Sequence, residues 1–150
     1  MYDQTRTKPR EFRAMTGLDI DEFDALTPSF EDAWIRCMQT TTMEGNRRWC
    51  RTYTTYRNSP FLSSAEKLFF VLVYLKQAPT QTLLATMFGI TQPSANRWIQ
   101  RTLTALRAAL VHHHVLPARD IETLNDFLHR DAEAGGEIPT LFFMMEQNDR

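Results

Sequence analysis

Residues 79–103, PTQTLLATMFGITQPSANRWIQRTL, constrain this chain more than any other stretch, because a turn signal sits between two short amphipathic runs. Thr80 is placed to cap a helix over 81–88, Gly89 stands where a helix ends in a left-handed residue, and Thr91 is placed to cap a second helix that starts at once. The apolar residues fall where two crossing helices touch: Leu84, Phe88 and Ile90 against Ala95, Trp98 and Ile99, with Ala85 small enough for close approach. Pro93 falls in the first turn of the second helix, where its missing N–H costs nothing. This spacing around Gly89 predicts a helix-turn-helix.

The outward face of the second helix carries Gln92, Ser94, Asn96, Arg97, Gln100 and Arg101, with no acidic residue among them. Amides can bond two edges of adenine and guanidinium two edges of guanine, so this set suits direct readout in a DNA major groove. Thr80, Gln81 and Thr91, at the starts of the two helices, complete the candidate set on this motif. The plain alternative is the solvated polar face of an ordinary helical pair.

Charge decides between these readings better than composition does. The net charge of −1 hides an uneven distribution: residues 1–44 carry 5 basic and 9 acidic side chains, 45–110 carry 9 and 1, and 111–150 carry 3 and 8. A basic middle third that contains the helix-turn-helix is the electrostatic footprint of a phosphate-contacting surface. No apolar run is long enough to span a bilayer and the N-terminus lacks a secretory apolar block, so the expectation is a cytoplasmic, nucleoid-associated protein with no membrane partner.

The flanking segments predict a mainly α fold, a helical bundle built around the helix-turn-helix. Residues 1–9 read as a disordered N-terminus. PREFRAM (9–15) suits one or two helical turns with Phe12 and Met15 on one face, stopped at Gly17. Asp19 with Glu22 has capping-box spacing, and Pro28 predicts a kink or restart before the stripe Phe30, Trp34 and Cys37 or Met38. Residues 40–60 lack a helical period, so a small β-hairpin around 47–57 or an ordered loop is expected. Arg47, Arg48 and Arg51, interleaved there with Trp49 and Tyr53, are candidate DNA-backbone contacts. Ser63 with Glu66 caps the next helix, whose run KLFFVLVYLK is apolar on nearly all sides and should be the buried centre.

The second helix of the motif continues its pattern through Leu103, Leu106 and Ala109 to Val111, about twenty residues. His112, His113 and His114 follow, but consecutive helical residues point about 100° apart and cannot converge on one ion, so a helix end is expected and no metal. Cys37 and Cys50 lack zinc-ligand spacing and read as free apolar residues. A further helix is expected from Asp120 through Leu128, then an acidic break at 131–139 and a strand-like tail. The domain boundaries expected are therefore 1–9, a DNA-binding domain over 10–130, and a linker with a truncated strand over 131–150.

The order GLDIDEFDAL, an Arg-rich loop, then SSAEKLFFVLVYLKQAPTQTLLATMFGITQPSANRWIQRTLTAL resembles the N-terminal DNA-binding region of bacterial insertion-sequence-five-type transposases, over roughly residues 11–130. The most specific part is APTQTLLATMFGITQPSANRWIQR. The resemblance implies recognition of terminal inverted repeats, with residues 91–101 as the reading helix and Gln92, Ser94, Asn96, Arg97 and Arg101 facing DNA. It also implies a following DDE catalytic domain with a ribonuclease-H-like fold. Where that domain's first aspartate would stand in a segment like Asp-Gly-Thr-Glu, this chain reads LFFMMEQNDR, with only Asp149 nearby. Two-metal phosphoryl transfer needs several carboxylates from distant parts of a fold. The expectation is thus no catalytic residue, no cofactor and no enzyme on this chain.

The leading expectation is sequence-specific binding to double-stranded DNA, at inverted repeats or a promoter, by a transposition accessory or repressor. One alternative is the non-catalytic half of a split or frameshifted DDE transposase, with a separately encoded catalytic half as partner. The other is a helical protein-interaction module that has lost DNA binding. A homodimer is a further possible partner state, since two element ends must be paired.

Overall fold

The computed structural model describes residues 1–49, 53 and 57–112. Among these lie six helices and no β-strand: α1 (Tyr2–Arg6), α2 (Pro9–Thr16), α3 (Ile20–Thr40), α4 (Ser64–Gln77), α5 (Gln81–Phe88) and α6 (Gln92–His112). Met1–Ala109 forms one compact unit; Leu110–Arg150, of which only the end of α6 is among the described residues, forms a second. The expected helix at 120–128, the break at 131–139 and the strand-like tail lie outside the described residues, as do His113, His114, Cys50 and Arg51.

The fold is organised on α4. Ser63 Oγ accepts the Glu66 N–H at 3.1 Å and Glu66 Oε2 accepts the Ser63 N–H at 3.0 Å, the reciprocal cap that spacing predicts. Every residue from Lys67 through Val73 is buried, so α4 has no solvent face along two turns. Helices α2 and α3 pack on it, and their Phe12, Phe23 and Phe30 are fully buried along with Phe69 and Phe70. Full burial of a phenylalanine contributes about 2 kcal/mol, so this aromatic cluster is a principal source of stability. The helix-turn-helix is fastened to it by rings: Phe88 of α5 meets Phe70 at 5.0 Å, and Trp98 of α6 meets Phe61 at 5.0 Å and stacks on Trp34 of α3 at 5.6 Å.

One local expectation needs correction, and two others are narrowed. Residues 1–9 do not read as disordered: α1 is a helix, Thr5 is buried, and the Tyr2 ring packs against Phe23 at 5.9 Å and Phe69 at 5.6 Å. Arg6 then clasps Asp24 with two hydrogen bonds of 2.7 and 2.6 Å, which raises the guanidinium pKa and lowers the carboxyl below its usual range. Polarity near a terminus hid one aromatic ring and one bidentate pair, which together offset the entropy of ordering a short helix.

Of the kink or restart expected at Pro28, the restart does not occur: α3 runs on from Ile20 to Thr40. Pro28 lies inside this helix, where its ring removes one bond to the carbonyl four residues back. Phe23, on one side of Pro28, and Phe30, Ala33, Trp34 and Met38, on the other, are all buried from the same helix, so packing outweighs the lost bond. The described part of 47–57 contains no strand, in keeping with the ordered-loop alternative, and residues 50–52 and 54–56 lie outside the described residues. Among the described residues an antiparallel bridge joins Thr41 to Arg47, earlier in the chain, with Thr42 N–H donating to Asn46 O at 2.8 Å and Arg48 N–H to Thr40 O at 2.8 Å. Gly45, at φ +91°, makes that turn.

Candidate nucleic-acid interface

Each end of the motif is built by its own residues. Ala78 closes α4 in the left-handed region at φ 46°, with Pro79 next, so the chain leaves α4 sharply. Thr80 Oγ1 accepts the Leu83 N–H at 3.2 Å and starts α5. At the other end Gly89 (φ 67°) donates to Thr86 O at 3.3 Å and Ile90 N–H to Ala85 O at 2.9 Å, the paired bonds of a Schellman turn. Thr91 Oγ1 then accepts the Ser94 N–H at 3.3 Å and starts α6. Leu84, Ala85, Ala95, Trp98 and Ile99 are buried as the crossing of the two helices requires, while Phe88 and Ile90 are half-buried.

The rotation of α6 follows from its inner face. Ala95, Trp98, Ile99, Thr102, Ala105, Leu106 and Ala109 are buried, and the Thr102 hydroxyl is satisfied by the Trp98 carbonyl at 2.6 Å. That leaves Pro93, Arg97, Gln100, Thr104 and Arg107 as an exposed stripe at helical spacing. No acidic residue occupies the first turn. Arg107 was not among the residues singled out from the sequence; its position two turns beyond Gln100 on this stripe was the signal available.

The candidate residues fall into distinct environments. Gln92 is exposed and donates its amide to Gln81 Oε1; Gln81 in turn donates to Asn96 Oδ1 at 3.2 Å. This amide chain ties the start of α5 to α6, and it occupies the oxygen that Asn96 would use in bidentate contact with adenine. Gln100 is exposed, Ser94 half-buried and Thr80 and Thr91 exposed beside their cap bonds. Arg97 projects outward, its side chain 51% exposed, and lies 3.9 Å from Glu44.

Arg101 is half-buried against the 41–49 loop: a Cβ on Gly45 would lie 3.2 Å from its Nη2, and its Nε is buried without a hydrogen-bond partner. Arg48 turns inward, donating from Nε to Met38 O at 2.7 Å, so it satisfies a carbonyl at the C-terminal end of α3. Arg47 is exposed, with its guanidinium 4.5 Å from the centre of the Trp49 ring. The candidate set is therefore brought together on one side of α6 for Arg97 and Gln100, and is divided among supporting contacts for Gln92, Gln81, Asn96, Arg101 and Arg48.

Among the described residues no group of three or more His, Cys, Asp or Glu could hold a metal ion, and no helix is long and apolar enough to cross a membrane. Cys37 is half-buried, and burial pushes its thiol pKa up, so it is a poor nucleophile.

A capped helix, a Schellman turn at Gly89 and a second capped helix with a bare polar stripe define a helix-turn-helix module. Residues 60–111, roughly a third of the chain, match the family model described as the helix-turn-helix of DDE superfamily endonuclease. The matched segment covers α4, α5 and all of α6 but its last residue, so the module is similar to a transposase-type helix-turn-helix. No curated protein and no solved structure matches the chain.

Proposed function

We propose that this chain binds double-stranded DNA sequence-specifically, with α6 in the major groove, and that its targets are the terminal inverted repeats of an insertion element or the element's promoter. The observation that supports this best is the exposed stripe Arg97, Gln100 and Arg107, inside the segment that matches a transposase-type helix-turn-helix. Arg97 and Gln100 carry donors suited to base edges, and Arg107 lies where the helix would leave the groove and meet phosphate. Thr80 and Gln81 stand at the start of α5, the helix that crosses the backbone in such motifs. The role is that of a transposition accessory or repressor, and pairing of two element ends favours a homodimer.

The test is selection of bound sequences from a randomised duplex library, followed by affinity measurements on the enriched site. Enrichment of a defined site is expected, with affinity falling steeply as salt rises. Arg97→Ala should cost about 1–3 kcal/mol and relax preference at one base pair. No enrichment, or unchanged affinity in the Asn96→Ala/Arg97→Ala double variant, would overturn the assignment.

The family model's own description favours a second reading, in which this module delivers a DDE catalytic domain supplied by a frameshift or a separate chain. DNA cleavage that appears only when such a domain is added, with metal, would support it.

A further inference from the structure

Trp49 stands outside the core. It is 78% exposed, while the other two tryptophans, Trp34 and Trp98, are 2% and 8% exposed and stacked on each other. Leaving an indole in water forgoes the gain from burying it, so its placement is informative when the surroundings are ordered and charged. Here they are both. The Thr41–Arg47 bridge and the Thr42–Asn46 bond close the turn, and Arg48 pins its base to Met38 O. The Arg47 guanidinium lies over the indole, 4.5 Å from its centre.

The same loop lies against α6: Glu44 approaches Arg97 at 3.9 Å, and Gly45 leaves room for the Arg101 guanidinium. A small ordered loop that touches a reading helix and carries a cation–π Arg–Trp pair has the geometry of a wing. We propose that residues 41–49 form such a wing, laying Arg47 and Trp49 on the sugar–phosphate backbone beside the groove that α6 enters. The inference rests on the DNA-binding reading of α6. The occupant is duplex DNA on grounds of charge complementarity, since residues 45–110 carry 9 basic side chains against 1 acidic. The guanidinium meets phosphate and the indole covers the apolar face of a deoxyribose, neither of which depends on base identity.

Because Trp34 and Trp98 are buried, tryptophan emission that acrylamide can quench in the free protein belongs to Trp49, and Trp49→Phe should abolish it. The full chain is titrated with a labelled mixed-sequence duplex of about 30 base pairs at low salt, with anisotropy reporting binding and acrylamide reporting the indole. Saturating duplex should shield Trp49. Trp49→Ala and Arg47→Ala should each weaken binding about three- to tenfold on any sequence, and Arg47→Ala should lower the salt slope by about one. An indole as accessible in the saturated complex as in the free protein, with both variants binding normally, would overturn the wing and leave α6 untouched. A chain that binds no duplex at low salt would overturn both.

Discussion

Truncating Trp98 to alanine tests whether the helix-turn-helix is held by the aromatic stack. The indole is 8% exposed, lies parallel to Trp34 at 5.6 Å with planes 10° apart, and meets Phe61 edge-on at 5.0 Å and 83°. Removing a buried tryptophan costs about 3–5 kcal/mol through lost transfer energy and the cavity left behind. The two ring pairs, at about 0.5–1.5 kcal/mol each, fall within that figure. A domain of this size is stable by about 5–15 kcal/mol, so the variant should lose roughly a fifth of its margin or more and melt at least about 10 °C lower. Urea unfolding followed by far-UV circular dichroism is the suitable assay, because tryptophan emission changes with the substitution itself. Trp98 follows Arg97 directly and its inward anchor sets the rotation of α6, so DNA affinity should also fall for every sequence while the variant is still folded. A loss below about 1 kcal/mol with an unchanged denaturant slope would refute the packing argument.

Glu44→Gln should tighten DNA binding by up to about fivefold at low salt. At 3.9 Å, two half-exposed charges in water interact by about 1 kcal/mol, and the carboxylate also repels approaching phosphate; equal affinities for variant and parent would show that Glu44 does not compete for Arg97. Lys67 supplies a pH test. It is 2% exposed with its Nζ 5.4 Å from the Trp34 ring centre, and burial lowers its pKa against the weaker opposing pull of Glu66 and Glu31. Between that lowered value and the ordinary 10.5, the unfolded chain keeps a proton that the folded chain has released, so stability should rise with pH across this window. Lys67→Met should be more stable at neutral pH and should flatten that rise, as measured by melting temperature against pH; an unchanged slope would show that Lys67 is not its source.

Caps and periodicity carried most of the fold. Ser63 with Glu66, Asp19 with Glu22, Thr80, Gly89 and Thr91 each act within four residues of themselves, and each is found doing what its type and spacing imply. The inner face of α6 was legible in part: Ala95, Trp98, Ile99, Leu106 and Ala109 are buried as a 3.6-residue period requires, whereas Leu103 is half-buried, Val111 is exposed, and Thr102 and Ala105 complete the buried stripe. The failures were those in which a distant partner outweighed a local preference. Polar residues 1–9 gain order from Phe23, Phe69 and Asp24, and Pro28 stays helical because residues on both sides are buried.

The candidate interface divides in the same way. That the second helix of the motif would present amides and guanidinium groups follows from residue identity and a known period, both local properties, and the charge segregation along the chain needs only counting. Which of those groups is open to a ligand depended on contacts between segments far apart in sequence. Gln81 occupies Asn96, Gly45 makes room for Arg101, Met38 draws Arg48 inward, and Arg97, Gln100 and Arg107 are left at the surface. A side chain's chemistry belongs to its type, but its availability is set by what the fold packs against it.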